Sequence, residues 1–170
     1  PETMLVVGGG YIGLELGLVY AELGSRVSVV EMTDGLLPGA DRDLVAPLQK
    51  RLSGIFESIQ LKTAVRKVEA AIDEITVTMD GSDNLTETAF EKILVSIGRQ
   101  PNSETLGLEN TKAVLDERGF VNVDHQQRTG DAHILAIGDV VGGGLAHTAA
   151  HQGKVAAEVV AGEPSAFDKI

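Results

Sequence analysis

The sequence contains no cysteine among its 170 residues. This excludes disulfides, thiolate zinc sites and any redox-active cysteine pair within the chain. Positive charge is scarce as well: 14 Lys and Arg stand against 25 Asp and Glu, a net charge of −11. That balance argues against nucleic acid and acidic membranes as partners, since both require a basic patch. An anionic ligand must instead be held locally, by backbone N–H groups and a helix terminus. No apolar run approaches the roughly 18–20 residues that span a bilayer. The N-terminus lacks a signal-peptide pattern: Glu2 stands where a positive region would be, and residues 4–7 read as a strand. What is plentiful is glycine, 20 residues, within a sequence that is 43% hydrophobic. This composition fits an α/β protein with many tight turns. The length suits one well-buried core plus a fragment of a second domain.

Along the chain, residues 4–7 form a short apolar run ending in Gly8-Gly9-Gly10, a buried strand feeding a turn. A helix over about 12–23 follows, closed by Gly24. Gly13, Gly17 and Ala21 recur every four residues, which makes one face narrow enough to pack closely on a sheet. Residues 27–31 are a second strand, completing a βαβ unit. Asp41 or Asp43 caps a further helix, with Leu44, Leu48 and Leu52 as its apolar stripe and Val45 widening it. A third parallel strand is expected at 59–61. Segments 65–68, 75–79 and 86–90, divided by polar turns, predict an antiparallel meander. Buried strands are expected at 92–97 and 133–137, a short strand or edge at 120–123, and a final helix over about 146–161.

Gly8-x-Gly10-x-x-Gly13 carries the clearest chemistry. A strand precedes it, a helix follows, and Glu31 ends the next strand about 20 residues on. Gly8 permits the tight turn, Gly10 lets the backbone approach a pyrophosphate, and Gly13 lets helix and strand pack. The helix start supplies free N–H groups and about half a positive charge. Glu31 would accept hydrogen bonds from ribose hydroxyls and repel a 2′-phosphate, which favours NAD over NADP. The plain alternatives are an ordinary glycine-rich turn and a solvated strand-end glutamate. A second strand–Gly–Asp pattern ends at Asp139, before a glycine loop and the last helix; Asp139 fits a polyol ligand or a helix cap equally well. His147 and His151 are four apart on that helix, but no carboxylate or cysteine partner stands at metal spacing. Residues 80–84 resemble the start of a calcium loop without its full pattern.

These residues, in this order, resemble the pyridine nucleotide–disulfide oxidoreductases. The likeness is carried by Gly8-Gly9-Gly10-Tyr11-Ile12-Gly13-Leu14-Glu15, Gly24-Ser25, Val29-Val30-Glu31, Gly98-Arg99-x-Pro101-Asn102, Arg118-Gly119-Phe120 and Ala136-Ile137-Gly138-Asp139. Gly39-Ala40-Asp41-Arg42-Asp43 and Leu145-Ala146-His147 draw it nearest to the dihydrolipoamide dehydrogenase branch. The resemblance implies a Rossmann-like three-layer α/β domain over 1–128, with a parallel sheet and an antiparallel β-meander. A strand–loop–helix segment of an FAD domain is implied over 129–170. It implies NAD contacts from Gly8 to Glu15, Glu31 on the ribose, Val65 beside the adenine and Gly98 near the nicotinamide, with Tyr11 and Glu15 facing nicotinamide and flavin. Asp139 would meet the FAD ribitol, and Gly144, Leu145, Ala146 and His147 the flavin edge. The parent enzyme implied oxidises dihydrolipoamide of a 2-oxoacid dehydrogenase complex and passes hydride through FAD to NAD⁺. Such a parent is a homodimer of the bacterial cytoplasm or mitochondrial matrix. Its first FAD-binding unit and cysteine pair precede this segment, and its His–Glu pair and main dimer interface follow it, so the chain is expected to be an excised segment, inactive alone. The other readings are a mercuric or other disulfide reductase, and a stand-alone NAD-binding or regulatory module.

Overall fold

The computed structural model describes residues 1–81, 84–142 and 144–168. Among them the elements run β1 (Thr3–Val7), α1 (Tyr11–Glu22), β2 (Arg26–Val30), α2 (Arg42–Leu52), β3 (Ser58–Gln60), β4 (Ala64–Ala70), β5 (Ile75–Asp80), β6 (Leu85–Phe90), β7 (Lys92–Val95) and α3 (Ala146–Val160). Two compact units divide the chain, Pro1–Gly98 and Arg99–Ile170.

In the first unit, β3, β2, β1 and β7 lie in that order in a parallel sheet, with Val7 beside Val30 on one side and Val95 on the other. Side chains alternate between its faces. Met4, Val6, Val27 and Val29 point to the helices and join Leu14, Val45, Leu52 and Phe56 in one core cluster. Leu5 and Val30 point the other way and pack on Val77, Met79 and Phe90 of the antiparallel β4-β5-β6 sheet. Both faces are covered at β1 and β2, which is why these two strands read as near-continuous apolar runs. The buried strand expected over 92–97 needs correction: β7 ends at Val95, and Val95 and Ile97 are exposed, since β7 is an edge with β1 on one side alone. The result is the expected Rossmann-like three-layer arrangement of helices, parallel sheet and meander.

Helix α1 sits on the sheet through Gly13 and Gly17, both buried. It ends where Gly24, at φ +97°, donates to the Ala21 carbonyl at 2.9 Å. Asp41 is the residue before α2 and accepts from the Leu44 and Val45 N–H groups through its backbone carbonyl. The expected α2 stripe needs correction. Leu44 is 71% exposed, and the buried face runs through Val45, Leu48 and Leu52 at i, i+3, i+7.

The second unit corrects two further expectations. Residues 133–137 form no strand; they make one isolated bridge, Leu135 with Arg128, flanked by the bonds from Ala136 N–H to the Gln127 carbonyl and from Thr129 N–H to the Ile134 carbonyl. An apolar run becomes a buried strand only between partner strands, and among the described residues of this unit it has the short 127–129 segment alone beside it. Likewise 120–123 contributes a single bridge, Leu115 with Val121. The final helix, α3, is present, with Gln152, Val155 and Val159 buried. No helix among the described residues is long and apolar enough to cross a membrane.

Candidate functional site

The strand order places a topological switch at β1, since β2 and β7 flank it on opposite sides. In open α/β sheets, ligands bind beyond the carboxyl ends of the strands at such a point. The 8–13 turn lies there. Gly8 has φ +106° and donates to the Val30 carbonyl at 2.9 Å; a Cβ on it would lie 2.5 Å from the Ser96 carbonyl oxygen. A Cβ on Gly13 would run into the Ser96 hydroxyl and the Gly8 carbonyl, and would lie 3.0 Å from Val6. Gly10 differs: a Cβ there would meet nothing within 4 Å. It is the N-cap of α1, whose first bond runs from Leu14 N–H to the Gly10 carbonyl. The N–H groups of the first turn precede that bond and point beyond the helix end. The turn therefore presents an open cradle of backbone donors at a positive helix end, fitted to a pyrophosphate.

Glu31 immediately follows β2, and its side chain is turned inward, only 8% exposed. Its Oε2 accepts from Gly9 N–H at 2.6 Å and its Oε1 from Thr33 N–H at 2.7 Å. Burial pushes its pKa up. Hydrogen bonds from the Thr33 and Gly9 N–H groups, with help from the Thr33 hydroxyl and Met32 N–H, outweigh it and hold the carboxyl below its ordinary value. Glu31 is thus an anion at neutral pH. A carboxylate has about four acceptor positions, so it retains capacity for ribose hydroxyls.

The remaining predicted residues of this unit gather at the same end. Thr63 N–H donates to the Glu31 carbonyl and leads into β4, where Val65 packs on the second core cluster beside a β-bulge. Gly98 follows β7 by way of Ser96, whose N–H and hydroxyl both bond the Val7 carbonyl. Tyr11, Ile12 and Glu15 are exposed on α1, whereas Leu14 is buried in the core. Sequence reading missed Ser96, Thr33 and the loop that meets Gly9. Serine and threonine at strand ends are too common to stand out.

In the second unit, Asp139 lies in a 3-10 turn, Gly138–Val141, and its carboxylate accepts from Arg99 Nη1 at 3.0 Å. Arg99 Nη2 also donates to the Gly144 carbonyl at 2.9 Å. Arg99, Pro101, Asn102, Phe120, Asp139 and Gly144 line a cleft of about 760 Å³. Leu145 precedes α3, and Ala146 and His147 begin it, all exposed. Gly143 lies outside the described residues, as do Ser82 and Asp83 of the calcium-loop-like turn. Among the described residues, no group of three or more His, Asp or Glu side chains is placed to hold a metal ion.

The family model for pyridine nucleotide-disulphide oxidoreductases matches residues 1–153. A dihydrolipoyl dehydrogenase of Vibrio parahaemolyticus is 48% identical over 170 residues, and one of Haloferax volcanii 44% over 173; each match covers 99% of this chain and 36% of the relative. The chain therefore spans about a third of the length of the curated relatives it matches. Among solved structures, LpdA of Mycobacterium tuberculosis gives a TM-score of 0.89 at 31% identity, covering 99% of this chain and 36% of that one. The HOCl-induced flavoprotein disulfide reductase RclA of Escherichia coli, as its Cu(II) complex, gives 0.89 at 28%, covering 99% and 38%.

Proposed function

The chain belongs to the pyridine nucleotide-disulphide oxidoreductase family, and from that premise we propose that it is the NAD-binding portion of a flavin-dependent dihydrolipoamide dehydrogenase. The parent oxidises dihydrolipoamide of a 2-oxoacid dehydrogenase complex and passes hydride through FAD to NAD⁺. In this reading the parent is a homodimer of the bacterial cytoplasm or mitochondrial matrix. Identities of 44–48% to the two dihydrolipoyl dehydrogenases, against 28% to the RclA reductase, support this branch over a different disulfide reductase. The observation that carries NAD binding is the pairing of the open Gly10 turn with the buried Glu31 carboxylate at one end of the parallel sheet.

NAD⁺ supplies the hydride acceptor, and the protein supplies binding and orientation. The N–H groups of the α1 start would hold the pyrophosphate, Glu31 would take the adenosine ribose hydroxyls, Val65 would flank the adenine, and Gly98 would leave room at the nicotinamide end. Tyr11 and Glu15 would face the nicotinamide and flavin. In the flavin segment, Asp139 would take the FAD ribitol, and the 144–147 stretch would border the flavin edge. With no cysteine, the chain alone holds no disulfide to reduce.

Calorimetric titration of the chain, and of Glu31→Ala, with NADH and NADPH tests the central point. A charge-assisted hydrogen bond contributes roughly 1.5–3 kcal/mol, so NADH is expected to bind at least about tenfold tighter than NADPH. Glu31→Ala is expected to lose most of that preference. Equal affinities in the unmodified chain would refute the assignment of Glu31.

A further inference from the structure

The connection between β2 and α2 is built around a side chain that the NAD reading leaves without a role. Arg42, the first residue of α2, turns its guanidinium back onto that connection. Nη1 donates to the Leu36 carbonyl at 2.9 Å, Nη2 to those of Leu37 and Ala40 at 2.7 Å each, and Nε to Ala40 at 3.1 Å. A planar fork of donors can bond three carbonyls at once, which a lysine ammonium matches poorly. The stapled loop in turn reaches the glycine turn. Leu37 N–H donates to the Gly9 carbonyl at 2.8 Å, and the Leu36 side chain, fully buried, lies so close that a Cβ on Gly9 would be 2.8 Å from its Cδ2. Leu37 is held at φ +50°, a conformation leucine avoids and keeps only where its surroundings impose it.

The Gly9 carbonyl and the Gly10 N–H belong to one trans, planar peptide group, so they point in opposite directions. Fixing the carbonyl toward Leu37 fixes the Gly10 N–H toward the other side, and a Cβ on Gly10 would meet nothing within 4 Å. We propose that Arg42 is a positioning residue for dinucleotide binding: by fastening the 36–40 loop it orients the Gly9–Gly10 peptide, without touching the cofactor. Arg42 spends its donors on its own backbone, so it serves geometry rather than recognition of a 2′-phosphate. The proposal rests on the reading that the 8–13 turn binds the pyrophosphate.

The test is NADH titration of the chain and of Arg42→Ala, Arg42→Lys and Arg51→Ala, with amide exchange of Leu37, Val6 and Val29 followed by NMR. Arg51 lies in the last turn of the same helix, and its replacement makes the same change in charge. Arg42→Ala is expected to weaken NADH binding at least tenfold and to speed exchange at Leu37, with Val6 and Val29 still protected. Arg42→Lys is expected to recover only part of the affinity, and Arg51→Ala to stay within twofold of the unmodified chain. Unchanged NADH affinity in Arg42→Ala overturns the proposal and leaves the NAD reading standing. So does full recovery in Arg42→Lys with an equal loss in Arg51→Ala, since charge alone would then be acting. Should Arg42→Ala lose protection at Val6 and Val29, Arg42→Lys decides by the same two readouts. Failure of the unmodified chain to bind NADH, with Leu37 protected, removes the underlying reading and the proposal with it.

Discussion

At Glu31, desolvation and hydrogen bonding oppose each other, and hydrogen bonding wins. The folded-state pKa lies below the unfolded one, so the carboxylate's contribution to stability is complete above the ordinary glutamate pKa and is lost as pH falls through the folded value. Glu31→Gln keeps the size but turns an amide N–H₂ toward one of the two backbone donors, at Gly9 or Thr33. A buried donor left unsatisfied costs about 1–3 kcal/mol. Urea denaturation is expected to show Glu31→Gln destabilised by that order at pH 7, with the gap to the unmodified chain narrowing in acid. A gap that stays constant with pH would mean that the Glu31 charge does not hold the turn. The position of Glu31, about one βαβ length beyond the glycines, was legible in the sequence because the motif fixes a spacing. Its inward turn onto Gly9 was not, because that depends on how the 31–42 connection folds back. Arg42 shows the same limit. It appears in the sequence as a charge beyond a glycine-bearing stretch, and its bonds to three carbonyls exist only after the loop closes.

Helix α1 separates two kinds of glycine that look alike in the sequence. A Cβ at Gly13 collides with the Gly8 carbonyl, which is fixed backbone, and with the Ser96 hydroxyl, which turns away only by giving up its bonds to the Val7 and Gly8 carbonyls, whereas one at Gly17 would sit 3.3 Å from the Phe56 ring and from Val6. Alanine also favours a helix over glycine by about 1 kcal/mol, which offsets mild crowding. Gly13→Ala is therefore expected to destabilise by about 1–3 kcal/mol, and Gly17→Ala to remain within about 1 kcal/mol of the unmodified chain. Urea midpoints of the two variants check this, and equal effects would show that the contact at Gly13 is not special. The doubly buried strands were legible as elements because an uninterrupted apolar run of that length fits little else. The α2 stripe was legible in kind but misplaced, because three leucines at i+4 drift around a helix and Val45 lies nearer the face that the sheet covers. The 133–137 run carries a strand's composition. Composition states a preference, and pairing is what makes the strand.

The two units differ in how much strand pairing they contain, and this difference should be measurable. In Pro1–Gly98 the central strands β1 and β2 of the parallel sheet are covered on both faces. In the second unit, strand pairing among the described residues is limited to two isolated bridges, and the buried Gln127 Oε1 has no hydrogen-bond partner among the described residues. Amide exchange is expected to be slow across β1 and β2 and faster over 131–137, following local stability. Uniform slow exchange in a demonstrated monomer would oppose this. The same contrast bears on flavin. The cleft at Arg99 and Asp139 has a volume within the usual ligand-site range of about 300–1,000 Å³, yet among the described residues its lining comes from 99–144. The charged pair at its mouth is exposed, 48% and 62% by side chain, so solvent screening leaves it worth little in holding a ligand. Association costs about 4–15 kcal/mol in lost freedom before any contact contributes. A dinucleotide the size of FAD recovers that only when most of its surface is enclosed, which one wall and a screened ion pair do not achieve. The purified chain is therefore expected to be colourless, with no flavin absorbance after desalting, and to show no saturable FAD binding at micromolar concentration. Visible absorbance that survives desalting would show that Asp139 and its cleft form a sufficient flavin site on their own.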